Sequence, residues 1–231
     1  MNMKTTLLIV TFNRFDLLER LLFSVQIQTK VPDQVVIVDN SNGRLQKKRL
    51  LDFGFPKLDV IVSNNMGLAS AWNLAFDLGL EKCIVTNDDT MILPHGIEAM
   101  IDLMNSYQKH PIFSAENHNF KFWAIHPIQA EKLIGRFDDA FYPAYYEDVD
   151  YWRRMQLEGL DFKSPETKIL KNALSRSVVR NKASGKTFIS QMQRCIDSND
   201  YRYKQKWGGG PGNEIYKKPF NLKKFCVCGE S

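Results

Sequence analysis

The stretch Cys83-Ile84-Val85-Thr86-Asn87-Asp88-Asp89-Thr90 carries the most information about the fold. Its apolar first half has the length of a buried strand and stops abruptly in an amide and two carboxylates. Met91, Ile92 and then Pro94, a residue suited to a helix start, come next. Acidic side chains at the carboxyl end of a buried strand have nothing local to neutralise them. They are suited to holding a divalent cation through hard oxygen ligands, and in open α/β sheets ligands gather at that end of the strands. An Asx-rich turn capping the next helix is the alternative, and the triplet alone does not separate the two.

Outward from that stretch the same pattern repeats. Thr5 to Thr11 (TTLLIVT) is a continuous apolar, β-branched run of the parallel-sheet kind, broken by Phe12-Asn13-Arg14. Leu17, Leu18, Leu21, Leu22 and Val25 recur at helical spacing, with Asp16 and Glu19 in the first turn. Gln34 to Asp39 (QVVIVD) is a second buried strand and ends in Asp39-Asn40-Ser41-Asn42-Gly43. Val60 to Ser63 reads as a third. It runs through Asn65 and Gly67 into a helix with Leu68, Ala71, Trp72, Ala75 and Phe76 on one face. Asn73 interrupts that face, either as a satisfied polar residue or within reach of the crevice. Strand, helix, strand in this order predicts a doubly wound sheet. Its junctions place Thr11/Asn13, Asp39/Asn40, Asn65/Gly67 and Asn87/Asp88/Asp89 on one edge. Such a crevice suits a nucleotide-like ligand together with a cation.

Bulk properties bound the function classes. A chain of 231 residues supports one well-buried domain with a smaller appendage. No apolar run approaches the roughly 20 residues of a membrane span, so a cytoplasmic protein is expected. The net charge of +5 comes with no array of basic and aromatic residues, which argues against nucleic acid. A phosphate-bearing small ligand or peripheral contact with an anionic membrane accounts for the excess. Of the four cysteines, Cys226 and Cys228 have no second pair at zinc-site spacing, and all four read as structural thiols.

Beyond Asn105 the pattern is irregular. Phe120 to Ile125 reads as a strand, and His126 either lines a ligand pocket or is structural. An aromatic, turn-rich loop leads to Tyr145-Tyr146-Glu147-Asp148-Val149-Asp150 at the start of a helix. Asp150 reads as a surface partner of Arg154. Thr187 to Trp207 is expected to be a helix with Phe188, Met192, Cys195 and Ile196 as its apolar stripe, ended by glycines 208–210.

The segments VTFNR, VDNSNG, NNMGLASAWN, TNDDT and GRFDDAFYPAYYEDVDYWRR, in this order over about residues 4 to 160, resemble inverting glycosyltransferases of family 2. The closing KWGGGPGNEIYKKPF is similar, more loosely, to tails of bacterial and viral members that build surface polysaccharides. The resemblance implies an α/β GT-A fold, a mostly parallel sheet flanked by helices. Residues 1–165 would form the catalytic domain, with 1–105 as the nucleotide half and 106–165 as the acceptor half, and 166–231 a helical extension. It implies that Thr11, Asn13 and Asp39 hold the nucleoside, and that Asn65 and Gly67 line the sugar-nucleotide pocket, which Asn73 is placed to reach. Asn87-x-Asp89 occupies the metal motif, with Asn in place of the first Asp. Asp89 becomes the metal-coordinating carboxylate, for Mn2+ or Mg2+, with Asn87 and Asp88 in support. The Glu147-Asp148 pair falls where the family has its general base, assigned to Asp148. A third metal ligand, often His in the family, has no counterpart, because all four histidines lie at or before position 126. Arg176, Arg180 and Lys182 either neutralise the diphosphate or are surface charge. The implied partners are a UDP- or dTDP-sugar donor and a glycan or glycolipid acceptor, with a homodimer compatible. A nucleotidyltransferase and a catalytically silent sugar-nucleotide-binding module are the rival readings.

Overall fold

The computed structural model describes residues 4–45, 47–116, 119–171 and 186–222, so Arg176, Arg180, Lys182, Cys226 and Cys228 lie outside the described residues. Within residues 4–116 the elements run β1 (Thr5–Thr11), α1 (Phe15–Gln26), β2 (Gln34–Asp39), α2 (Lys47–Leu51), β3 (Leu58–Val62), α3 (Leu68–Asp77), β4 (Lys82–Asn87), α4 (Gly96–Ser106) and β5 (Ile112–Ser114). They continue with β6 (Phe122–Ile125), α5 (Pro127–Leu133), α6 (Glu147–Leu157) and α7 (Lys186–Trp207), and a 3-10 turn covers Pro219–Asn221. One sheet has the order β3-β2-β1-β4-β6-β5. Its first four strands are parallel, and β6 runs antiparallel to both β4 and β5.

The period-two alternation of the strands sorts the core into two layers. Leu7, Ile9, Val35, Ile37 and Ile84 face α1 and α4, meeting Leu18, Leu21, Leu22, Ile97 and Met100. Leu8, Val10, Val36, Val38, Cys83 and Val85 face the other way, against Trp72, Ala75 and Phe76 of α3 and Tyr151 and Met155 of α6. A slip of one residue would exchange the two sets, so the register is strongly specified. Burial of each such Leu, Ile or Val is worth about 1.5–3 kcal/mol.

After β1 the chain winds outward through β2 and β3, then returns to place β4 on the other side of β1. The strand order therefore reverses between β1 and β4, where a crevice opens at the carboxyl ends. Val10 pairs with Asn87 across this boundary, which brings Thr11 beside the Asp88-Asp89 turn. The third strand starts at Leu58 rather than Val60, and the last at Phe122 rather than Phe120. The later start of β6 has a visible cause. The Lys121 carbonyl accepts from the Asn87 N–H at 3.2 Å and from the Thr86 and Thr90 hydroxyls, while Asn119 Oδ1 accepts from the Lys121 N–H at 2.8 Å.

A third, smaller cluster buries Phe141, Tyr203 and Trp207 with Tyr146, Val149 and Leu157. It packs α7 against α6 and the loop before it. No helix among the described residues is long and apolar enough to cross a membrane.

Candidate functional site

A cavity of about 560 Å³ sits at the carboxyl ends of β1 and β4. Val10, Arg14, Asn40, Asn65, Asn87, Asp88 and Asp89 form its sheet side. Leu68 and Trp72 of α3, Tyr142 to Tyr145, Glu147 and Asp148 close it opposite, and Gln191, Met192 and Cys195 of α7 complete the wall. Both acidic groups read from the sequence, 88–89 and 147–148, thus face one space.

The first group is built by strand ends. Thr11 Oγ1 donates to Asp88 Oδ2 at 2.8 Å. Burial pushes the Asp88 carboxyl up to about 7, against the pull of the Thr11 bond and with a further push from Asp89. Burial raises Asp89 as well, opposed by the Lys121 ammonium. Among the described residues neither carboxylate has an ion-pair partner and the buried Asn87 Oδ1 has no hydrogen-bond partner. Two under-neutralised carboxylates beside an orphaned amide oxygen are a donor set that fits a divalent cation. No cluster of three or more His, Cys, Asp or Glu forms among the described residues. Such a set would bind a cation through one or two carboxylates together with phosphate oxygens and water.

The neighbouring junctions are held by their own side chains. Asp39 is fully buried, and its carboxylate accepts from the N–H groups of Ser41 at 2.9 Å and Leu45 at 3.1 Å. Asn13, with φ 55°, donates its N–H to Ser41 Oγ at 2.7 Å and accepts from Arg44 at 3.3 Å. Thr11, Asn13 and Asp39 thus shape the crevice's edge rather than its lining. Asn65 lines it, and its carbonyl accepts from the Tyr142 hydroxyl at 3.1 Å. Gly67 has φ 85°, and a Cβ there would stand 2.9 Å from the Tyr142 ring and 3.3 Å from the Pro143 carbonyl. Only glycine lets the acid-bearing loop approach this closely.

Asn73 requires a correction. Its amide donates to the Phe137 carbonyl at 3.0 Å and accepts from the Phe137 N–H at 2.9 Å, away from the cavity. It ties α3 to the loop that precedes α6, where Phe137 stacks on Tyr151 at 4.0 Å. His126 is likewise structural: it is 2 % exposed, bonded to the His110 carbonyl at 2.8 Å and edge-on to Phe113.

The second acidic group depends on α7. Tyr145 and Tyr146 both have positive φ, 77° and 76°, a costly conformation for bulky residues and common where function fixes geometry. Buried Asn199 offsets that cost by donating to the carbonyls of Ala144 and Tyr145, each at 3.0 Å, and Asp200 accepts from the Tyr146 hydroxyl at 2.8 Å. The turn presents Glu147, 3 % exposed, with Oε2 lacking a partner among the described residues. Burial and the adjacent Asp148 push its carboxyl well above the usual range. Burial also raises Asp148, offset by the Val149 N–H that its Oδ1 accepts at 2.8 Å.

Asp150 overturns its reading as a surface partner. The bond from Arg154 exists, at 3.0 Å, but the carboxylate is fully buried. It also accepts from Trp207 Nε1 at 2.9 Å and lies 2.7 Å from Lys206 Nζ, which reaches Asp138 at 2.8 Å. Sequence reasoning missed Asn199 and Lys206 as supports of this loop. The signal for Asn199 was a polar residue on the inward stripe Met192, Asn199, Tyr203, Trp207 of α7, all of which are buried, whereas nothing in the pattern marked Lys206.

Comparisons with known proteins bear on the family and the fold. The sequence profile described as "Glycosyl transferase family 2" matches residues 6–174. An "uncharacterized glycosyltransferase", YwdF of Bacillus subtilis (strain 168), is 32% identical over 102 residues, covering 42% of this chain and 37% of that protein. Staphylococcal TarS (S. aureus) superposes with a TM-score of 0.58 at 12% identity, over 86% of this chain and 44% of that one. A mannosyltransferase of Pyrobaculum calidifontis, solved with GDP-Man and Mn2+, superposes with a TM-score of 0.62 at 13% identity, over 87% and 72% of the two chains. The chain thus spans less than half the length of YwdF and of TarS. At these identities the solved structures show the fold, an α/β sheet of the GT-A kind.

Proposed function

This chain belongs to glycosyl transferase family 2, and on that premise we propose that it moves a sugar from a UDP- or dTDP-type nucleotide-diphosphosugar to a hydroxyl of a glycan or glycolipid acceptor, with inversion. One observation supports this most directly. Of the ten buried side-chain polar atoms without a partner among the described residues, Asn40 Oδ1, Trp72 Nε1, Asn87 Oδ1 and Glu147 Oε2 belong to residues lining the one cavity. Folded proteins leave few such atoms, so their concentration here favours a polyhydroxylated, phosphorylated ligand that supplies the missing partners.

The roles follow from position. Thr11, Asn13 and Asp39 shape the nucleoside end, and Asn65 and Gly67 border the sugar. Arg14 and Lys121 line the cavity beside Asp88 and Asp89 and are placed to neutralise the diphosphate. A divalent cation, Mn2+ or Mg2+, held by Asp89 with Asp88 and Asn87, would supply further stabilisation of the leaving group's charge. Asp148 takes the proton of the acceptor hydroxyl as that oxygen bonds to the anomeric carbon. The bond from that carbon to the diphosphate oxygen breaks in the same displacement, and its electron pair leaves with the nucleoside diphosphate. Burial raises the proton affinity of Asp148 and so suits it to the task. Glu147 keeps its proton to higher pH than a surface glutamate and can donate a hydrogen bond to a sugar hydroxyl.

A thermal-shift and hydrolysis screen against UDP-, dTDP- and GDP-sugars, with and without manganese, tests the reading. A cation-dependent shift with one nucleotide class, followed by turnover, is expected. Binding without turnover on any acceptor would assign a silent sugar-nucleotide module instead, and no shift with any donor would reject the reading.

A further inference from the structure

We propose that the segment following α7 is a docking surface for an anionic membrane. Ile215 is 76 % exposed, Phe220 45 % and Leu222 58 %, and Tyr201 on the adjacent helix is 66 % exposed. Lys217 and Lys218 stand between them, exposed and without an ion-pair partner among the described residues. The sequence continues Lys223-Lys224-Phe225, and no acidic residue occurs from Ile215 to Phe225. The nearest carboxylates in sequence and on α7 are already used. Glu214 accepts from the Tyr203 hydroxyl, and Asp200 takes Lys204 and the Tyr146 hydroxyl. Lys217 and Lys218, unneutralised among the described residues, therefore stand with apolar side chains in water, the pairing that favours the headgroup boundary of an anionic bilayer.

The fold holds this segment in place. The N–H groups of Ile215 and Tyr216 both donate to the Trp207 carbonyl, at 3.1 and 2.9 Å, and the Tyr216 carbonyl accepts from Arg153 at 3.2 Å. Gly208, with φ 75°, lets the Tyr216 ring lie against the backbone, where a Cβ would stand 2.9 Å from it. Tyr216 is thus tucked in while Ile215 points out. Phe220 and Asn221 follow with φ 56° and 53°, a conformation rare for a bulky aromatic residue, and the ring stays half in solvent. Charge decides the occupant: an apolar protein partner offers Lys217 and Lys218 no counter-charge, and the same patch on a second copy would repel them, whereas an anionic surface neutralises both. The inference is independent of which sugar the enzyme transfers.

The test is co-sedimentation of the full chain with phosphatidylcholine vesicles, with and without about a quarter of phosphatidylglycerol. Binding to the anionic vesicles alone, weakening as salt rises, is expected. Lys217→Gln with Lys218→Gln should weaken partitioning about 30-fold, at about 1 kcal/mol per lysine. The triple variant Ile215→Ser, Phe220→Ser, Leu222→Ser should weaken it at least tenfold while unfolding at the parent temperature, because all three side chains are exposed. Equal binding to pure phosphatidylcholine, no sedimentation, or unchanged partitioning of the lysine variant each overturns the proposal. So does a dimer, seen by light scattering in the parent, that dissociates in the serine variant without any vesicle binding; that outcome assigns the face to a second copy.

Discussion

Replacing Asp150 by Asn should damage the protein far more than a surface helix position would. The buried carboxylate accepts from Arg154 at 3.0 Å and Trp207 at 2.9 Å and lies 2.7 Å from Lys206. The amide removes the charge and turns one acceptor into an NH2 group that must face a donor. Breaking a buried ion pair from one side costs about 3–5 kcal/mol. Lys206 keeps Asp138 at 2.8 Å and Arg154 keeps the Ile134 carbonyl at 2.7 Å, so the lower end applies. At about 2–4 °C per kcal/mol for a chain of this size, Tm should fall by about 6–12 °C. Transfer measured well below that temperature should fall too, because Glu147 and Asp148 share the helix that Asp150 anchors. Calorimetry on Asp150→Asn, Lys206→Met and the double variant reads the coupling. The double variant should be less destabilised than the sum, since removing both partners leaves no stranded charge. A Tm loss under about 2 °C for the single variant, or additivity within about 0.5 kcal/mol, would refute the network.

Asp148→Asn should leave donor and cation binding intact while transfer falls by about 10² to 10⁴; normal turnover there, with Glu147→Gln dead, would move the base to the other carboxylate. Asp89→Ala should abolish manganese-dependent binding of nucleoside diphosphate in titration calorimetry without loss of fold, and unchanged affinity in manganese would exclude the metal role. The cation-free protein should lose stability as pH rises. Asp88 titrates at about 7 in the fold against about 4 unfolded, so between those values the native state holds a proton that the unfolded chain has released. The slope of unfolding free energy is then negative up to about pH 7 and flat above it. Asp89, Glu147 and Asp148 are raised too and add in the same direction, outnumbering His110 and His126, which burial lowers and which act the opposite way below about pH 6.5. Thermal unfolding in chelator should therefore give a higher Tm near pH 5 than near pH 8, with a shallower decline in Asp88→Asn; an unchanged decline would show that Asp88 is not buried as described.

The parallel half of the sheet was legible because a strand buried on both faces needs a continuous apolar run, and its end is marked where polar residues become affordable. Asp88 and Asp89 could be placed at the crevice from that alone, since the strand that carries them also fixes their position. Asn73 and Asp150 could not. Each sits at helical spacing beside apolar neighbours, and its partners lie far away along the chain: Phe137 for Asn73, Lys206 and Trp207 for Asp150. An i,i+4 match to Arg154 made Asp150 look explained, and the local explanation hid the distant one. The same difference separates the two halves of the site. The 88–89 carboxylates are placed by local chain geometry and one bond from Thr11, whereas the turn before Glu147 and Asp148 is held by Asn199, Asp200, Lys206 and Trp207 of α7. Changes at Asn199, Lys206 and Trp207, which do not line the cavity, should accordingly act on the Glu147–Asp148 half while sparing nucleotide binding. The polar Asn199 on that helix's buried stripe was the one sequence feature that could have shown it.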